Sequence, residues 1–196
     1  YTFSNGNIYN GLFLNDEFHG QGTFYFSNGG KYVGDWLEGK KSGKGTFFYP
    51  NGDKYNGDWE ADKKNGMGIL NYPNGTKYEG EWVDGNRQGT GVFVYSNGDK
   101  YNGNWYSDKR HGSGKLEYSN GNIYSGNWED GMINGYGTIK IAGGDNYKGE
   151  WQKGKKFGEG VYTYSNGEVY EGKWVNGKRQ GNGIIFYVDG NKYEGE

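Results

Sequence analysis

The sequence predicts an all-β fold: an elongated, single-sheet antiparallel β-meander built from repeated 23-residue hairpins, with the right-handed twist usual for strands. Three observations predict it. Tyr9, Tyr32, Tyr55, Tyr78, Tyr101, Tyr124, Tyr147, Tyr170 and Tyr193 are each 23 residues apart, with no insertion or deletion. Glycine holds four fixed places in every period, and every tryptophan falls at one place. Around these, large apolar residues alternate with a period of two, which is the spacing of a strand. One array over residues 1–196 follows, with eight full repeats over 9–192 and partial repeats at 1–8 and 193–196. The start in mid-repeat and without methionine reads as a piece of a longer protein.

With Tyr as position 0, each period opens on a strand of the form Tyr-x-Gly-x-Trp, such as Tyr32-Val33-Gly34-Asp35-Trp36. Tyr, Gly and Trp then share one face. A polar loop is expected at positions 6 to 10. A second strand follows at positions 13 to 17, as in Gly45-Thr46-Phe47-Phe48-Tyr49. The period closes on an Asn-Gly turn. A two-residue turn would pair position 17 with 22 and put the second strand's rings on the face opposite Tyr and Trp. A three-residue loop, a type I turn followed by a left-handed glycine, pairs 17 with 21 and keeps all the rings on one face. Pro50 and Pro73 stand first in that loop, where a type I turn favours proline, so the bulged loop is expected. Glycines at positions 2 and 13 leave room for neighbouring rings to lie flat across the sheet. Gly43-x-Gly45 is expected to bend it and make the aromatic face concave.

Composition bounds the function. Only 32% of the residues are hydrophobic and 41 are glycine, too little for a thick two-layer core. That balance alone would suggest disorder, but a disordered chain has no reason to hold glycine and tryptophan in register. The net charge of −2 gives no general attraction to nucleic acid. Without cysteine there is no disulfide framework or thiolate metal site. No catalytic pattern, cofactor motif or metal-ligand cluster is visible. His19 and His111 stand at the same loop position in distant repeats. Lys41-Ser42-Gly43-Lys44-Gly45-Thr46 lacks the spacing and the following helix of a phosphate-binding loop. Acidic residues at position 3, such as Asp35, Asp58, Glu81 and Glu150, read as solubilising charges.

The Tyr-x-Gly-x-Trp, Gly43-Lys44-Gly45 and Asn51-Gly52 pattern resembles the MORN repeat (membrane occupation and recognition nexus). Segments such as Tyr78-Glu79-Gly80-Glu81-Trp82-Val83-Asp84-Gly85 and Tyr170 through Gly181 are similar to its consensus. Departures are Phe13 in place of Trp and Asp16, Asp62 and Asp108 in place of the position-7 glycine. Ile141-Ala142-Gly143-Gly144 has lost the tyrosine and asparagine of its turn, which marks a local irregularity or a bend. The resemblance implies a twisted rod without enzymatic activity of its own, in an intracellular, cytoplasmic, cytoskeletal, ciliary or membrane-peripheral setting. It implies no cofactor. The partners it implies are a protein, a second copy of the chain as a homodimer, or acidic phospholipid. A further alternative is an accessory array of an enzyme whose catalytic domain lies outside this chain. The Asn-, Lys- and Tyr-rich composition suggests an AT-rich protist genome.

Two site candidates follow. The aromatic face, through Tyr55, Trp59, Tyr78, Trp82, Tyr101, Trp105, Tyr124 and Trp128, would line a groove for a partner peptide or helix while also serving as the core. The basic row at positions 8 and 9 carries Lys40, Lys41, Lys63, Lys64, Arg87, Lys109, Arg110, Lys155, Lys156, Lys178 and Arg179. It would meet an anionic membrane along one loop edge, or simply be a solvated face. The back face is apolar at Val92/Val94 and Ile184/Phe186 but charged at Lys115/Glu117, and is the candidate surface for self-association.

Overall fold

A computed structural model describes every residue from Tyr1 to Glu196. It contains seventeen strands and no helix, and the strands belong to one antiparallel sheet, the all-β meander that the sequence predicts. Contacts within the chain define two units, residues 1–96 with 106–108, and residues 97–105 with 109–196. In the first unit, β1 (Ile8–Leu14) and β2 (Glu17–Tyr25) make the first hairpin. The pattern continues through β3 (Lys31–Leu37), β4 (Lys40–Phe48), β5 (Lys54–Glu60), β6 (Lys63–Asn71), β7 (Lys77–Val83) and β8 (Asn86–Val94). The second unit takes β9 (Lys100–Tyr106) as far as Trp105, then β10 (Lys109–Glu117), β11 (Ile123–Glu129), β12 (Met132–Lys140) and β13 (Asn146–Gln152). It ends with β14 (Lys155–Thr163), β15 (Val169–Val175), β16 (Lys178–Phe186) and β17 (Lys192–Gly195). Within each unit every strand pairs with the next in sequence.

The turn that closes each period is the three-residue bulged loop. Tyr49 donates its N–H to the Asp53 carbonyl at 2.9 Å, and Gly52 donates to the Tyr49 carbonyl at 3.0 Å. Gly52 sits at φ +90°, which costs glycine nothing. Position 17 therefore faces 21, and Phe47 lies opposite both Tyr32 and Tyr55 on one aromatic face. The altered turn at Ile141 keeps the same two bonds, at 2.8 and 2.9 Å, so its lost tyrosine and asparagine leave no irregularity in hydrogen bonding.

The other turn corrects the expectation. Positions 8 to 10 are not loop but the start of the even-numbered strands, and the chain reverses over positions 6 and 7 alone. Both residues there have positive φ, as in Glu38 (+49°) with Gly39 (+74°) and Asp84 (+50°) with Gly85 (+89°). This is the condition for a two-residue type I′ hairpin, which Asp-Gly and Asn-Gly meet best. Asp84-Gly85, Asp130-Gly131 and Asn176-Gly177 carry that signal, and the polar residues after them masked it. Where aspartate replaces the glycine, at Asp62 (+71°) and Asp108 (+65°), its carboxylate accepts the N–H of Lys41 at 3.1 Å or of Arg87 at 3.0 Å. Those bonds offset the cost of a left-handed backbone.

Each odd-to-even hairpin also carries a bulge. Pairing runs from Gly34↔Gly45 directly to Trp36↔Lys41, so Asp35 alone faces Ser42, Gly43 and Lys44. Gly43 takes φ +57° to make the step. The Asp35 carboxylate accepts the Lys44 N–H at 2.8 Å, Asp58 accepts that of Met67 at 2.9 Å, and Glu81 that of Thr90 at 2.8 Å. The position-3 acids at these three sites thus satisfy a backbone donor that the bulge frees. They are structural, where the sequence had suggested only solubility.

Candidate functional site

The aromatic face is built in two rows. In the inner row each position-0 tyrosine lies across the glycine pair of its own hairpin. A methyl group on Gly34 or Gly45 would overlap the Tyr32 hydroxyl, which is the physical reason for both glycines. That hydroxyl donates to the Asp35 carbonyl at 3.0 Å, and Tyr55 donates to Asp58 at 2.9 Å in the same way. Within each unit an indole then stands edge-on between two tyrosines. Trp59 is 5.4 Å from the Tyr32 ring and 5.1 Å from the Tyr55 ring, and its Nε1–H donates to the Gly45 carbonyl at 3.1 Å. Such edge-to-face pairs stabilise beyond the area they bury. Burial pushes the phenols of Tyr32, Tyr55, Tyr78, Tyr124 and Tyr147 well above the ordinary value of 10.0.

The groove candidates belong to this inner row. Tyr55, Tyr78, Tyr101 and Tyr124 are fully buried, and Trp59, Trp82, Trp105 and Trp128 are 3–6% exposed. The chain itself covers them, because glycine lets each ring lie flat and the neighbouring indole and position-9 side chain close over it.

The basic row divides in two, since neighbouring residues of a strand point to opposite faces. Position 9 turns to the aromatic face. Lys64 lies 4.1 Å from the Trp82 ring centre, Arg110 4.2 Å from Trp128, and Lys156 4.2 Å from Trp174. These cation–π contacts help cap the core, although desolvation pushes the Lys64 and Lys156 ammonium groups below the usual lysine value. Lys41, Arg87 and Arg179 also lie over rings of this face, Arg179 in the most exposed setting. Position 8 turns outward, so Lys40, Lys63, Lys109, Lys155 and Lys178 are exposed. Ion pairs alternate between the rows: Lys41–Asp62 at 2.8 Å, Lys63–Asp84 at 2.9 Å, Arg87–Asp108 at 2.9 Å and Lys109–Asp130 at 3.0 Å. The turns beside Lys155 and Lys178 are Lys153-Gly154 and Asn176-Gly177, which hold no carboxylate. The stretch Lys41–Thr46, with its superficial likeness to a phosphate-binding loop, lies inside β4.

The outer row is at position 17. It comprises Phe26, Tyr49, Tyr72 and Tyr95 in the first unit, all half-buried. In the second unit Tyr118, Tyr164 and Tyr187 are interrupted by Ile141. Each ring leans on the position-15 side chain: Tyr49 is 4.4 Å from Phe47, and Tyr95 is 4.5 Å from Phe93. Desolvation raises the Tyr49 and Tyr72 phenols. The hydroxyls of Tyr49, Tyr72 and Tyr95 meet no partner within the chain, in contrast to the inner row. Sequence reasoning grouped these residues with the core. The overlooked signal is that position 17 is tyrosine in six of the eight repeats, whereas position 15 is tyrosine only at Tyr162 and otherwise phenylalanine, leucine or isoleucine.

On the opposite face Val92, Val94 and Ile184 are half-buried and Phe186 is exposed, while Lys115 and Glu117 pair with each other.

Solved structures with a similar fold include the TCP10 domain of Danio rerio CPAP, with a TM-score of 0.55, 13% identity, and 100% of this chain and 92% of that chain covered. The G-box domain of the microcephaly protein CPAP gives 0.52 at 14% identity, covering 100% and 96%. The TCP domain of Drosophila melanogaster SAS-4, solved in complex with a proline-rich motif of Ana2, gives 0.50 at 18% identity, covering 79% and 84%. At these identities the likeness is one of fold. No curated protein sequence matches the chain. The MORN-repeat profile matches residues 9–31, 32–54, 55–77, 78–100, 101–123, 124–146, 147–169 and 170–192, and the chain belongs to the MORN-repeat family.

Proposed function

We propose that the chain is a non-enzymatic interaction scaffold that binds a protein segment along the outer aromatic row. One observation carries this reading: Tyr49, Tyr72 and Tyr95 stand half-buried in line, and the fold does not use their hydroxyls. Tyrosine offers a stiff apolar surface and a hydrogen-bond donor on one side chain, the combination on which binding hot spots draw. The proposed setting is intracellular and cytoskeletal or ciliary. Its support is that one similar fold, the CPAP G-box domain, is described with a role in centriole elongation, and another, in SAS-4, with a bound peptide. Capture from a cell lysate tests it, comparing the intact chain with Tyr49→Ser/Tyr72→Ser and with Lys155→Glu/Lys178→Glu. The proposal expects specific partners to be lost with the tyrosine variant and kept by the lysine variant; the reverse pattern refutes it.

A second reading is favoured by the exposed Lys153, Lys155 and Lys178, whose turns lack the carboxylates found in earlier repeats. Each such lysine near an anionic bilayer contributes ~1 kcal/mol. Flotation with phosphatidylserine vesicles at physiological salt, abolished by Lys155→Glu/Lys178→Glu, would support it, and absence of flotation removes it. Self-association through the apolar parts of the back face is tested separately by light scattering, where a monomeric mass at high micromolar concentration excludes it.

A further inference from the structure

The outer row has a spacing, and the spacing selects a ligand conformation. Successive position-17 rings in one unit are two strands apart, ~9.6 Å at the usual strand separation. A polyproline II helix repeats its side-chain directions every three residues, ~9.3 Å along its axis. An α-helix returns to one face every ~5.4 Å and an extended strand every ~6.7 Å, so neither meets successive rings in step. Over the three intervals from Phe26 to Tyr95 a polyproline II segment drifts by only ~1 Å.

We propose that Phe26, Tyr49, Tyr72 and Tyr95 form a docking strip for a proline-rich segment in the polyproline II conformation. The segment runs across the strands, with one three-residue turn on each repeat. The inference rests on reading this face as a protein-binding surface. The chemistry is complementary. The hydroxyls of Tyr49, Tyr72 and Tyr95 are donors without an internal acceptor. A polyproline II segment presents carbonyls without internal donors, and its prolines have no N–H to satisfy. Charge points the same way. On one side of the strip the cations of Lys41 and Arg87 are already paired with Asp62 and Asp108, and Lys64 is spread over the Trp82 ring. On the other side the Asp53 carboxylate accepts from Asn51 at 3.0 Å and is in no ion pair, the Lys64 ammonium acting on it only from a distance. The strip thus accepts a segment in which prolines alternate with a basic residue. In the second unit Ile141 removes one hydroxyl from the middle of the row, so the strip belongs to the first unit.

The test uses the full chain and two fluorescein-labelled probes of equal length and charge, (Pro-Pro-Lys)4 and (Ala-Ala-Lys)4, in anisotropy titrations at physiological salt. The proline probe is expected to bind about tenfold more tightly than the alanine probe. Tyr72→Ser should weaken it about fivefold and Tyr164→Ser should leave it unchanged. The triple variant Tyr49→Phe/Tyr72→Phe/Tyr95→Phe keeps the rings and their packing, so it folds, and loss of three donors should still weaken binding about tenfold. If both probes bind equally and both depend on Tyr72, the polyproline inference falls while the protein-binding face stands. If the proline probe does not bind, or binds without regard to the triple phenylalanine change, the inference also falls. The protein-binding face itself falls only with the lysate result above.

Discussion

The smallest decisive feature is the fit between one phenol and two glycines. Tyr32 can lie flat only because Gly34 and Gly45 present no side chain, and its hydroxyl then reaches the Asp35 carbonyl. Gly45→Ala should destabilise the chain by about 1–3 kcal/mol through overpacking, whereas Tyr55→Phe should cost only about 1 kcal/mol for the lost hydrogen bond. Urea melts separate the two. The same burial makes the inner phenols sensitive to alkali. Desolvation raises their folded pKa above the ordinary phenol value of 10.0. The folded state therefore holds its protons longer than the unfolded one. The stabilisation is complete below pH ~10 and is lost as the pH climbs from there toward the raised folded values. Ultraviolet titration should show these phenolates appearing only as the near-ultraviolet circular dichroism signal collapses. Tyr162, pushed up to about 12 by burial and then by its bond to Asp145, belongs to the same alkaline window.

At the scale of elements, the two turns of each period differ in how they meet the demand for positive φ. The bulged loop uses one glycine. The tight turn needs two left-handed residues, and Asp62 serves there because its carboxylate bonds to both the backbone and the ammonium of Lys41. Asp62→Asn should keep the turn, since asparagine tolerates the conformation. It should lose the ion pair at a cost of no more than about 1 kcal/mol, and with it the salt dependence of stability. Thermal melts at low and high salt check this. These elements also show what the sequence made legible. Period, strand parity and the prolines at Pro50 and Pro73 led to the bulged loop and the single aromatic face. The tight turn was missed because lysine and arginine at positions 8 and 9 look like loop, although Asp84-Gly85 beside them is a type I′ signal. That error merged two basic rows that face opposite ways. The position-17 tyrosines were seen as apolar bulk, because nothing in composition reveals which hydroxyls the fold will consume.

At the scale of the whole molecule, the indoles inside each unit belong to two repeats at once: Trp59 packs on Tyr32 and Tyr55, and Trp128 on Tyr101 and Tyr124. Arrays of this kind are stabilised by nearest-neighbour contacts and not by a central core. Trp128→Ala should therefore cost about 3–5 kcal/mol and divide unfolding of its unit, so that calorimetry shows a broadened or double transition instead of one. The same logic separates what the repeats must keep from what they are free to change. Inner tyrosines, indoles and glycines are fixed by one another. Tyr49, Tyr72 and Tyr95 touch the fold through the flanks of their rings, and their hydroxyls find no acceptor within the chain. Position 17 is thus a writable column on a printed form. Ile141→Tyr should restore the missing ring in the second unit with little effect on stability, as a urea melt beside the parent chain would show.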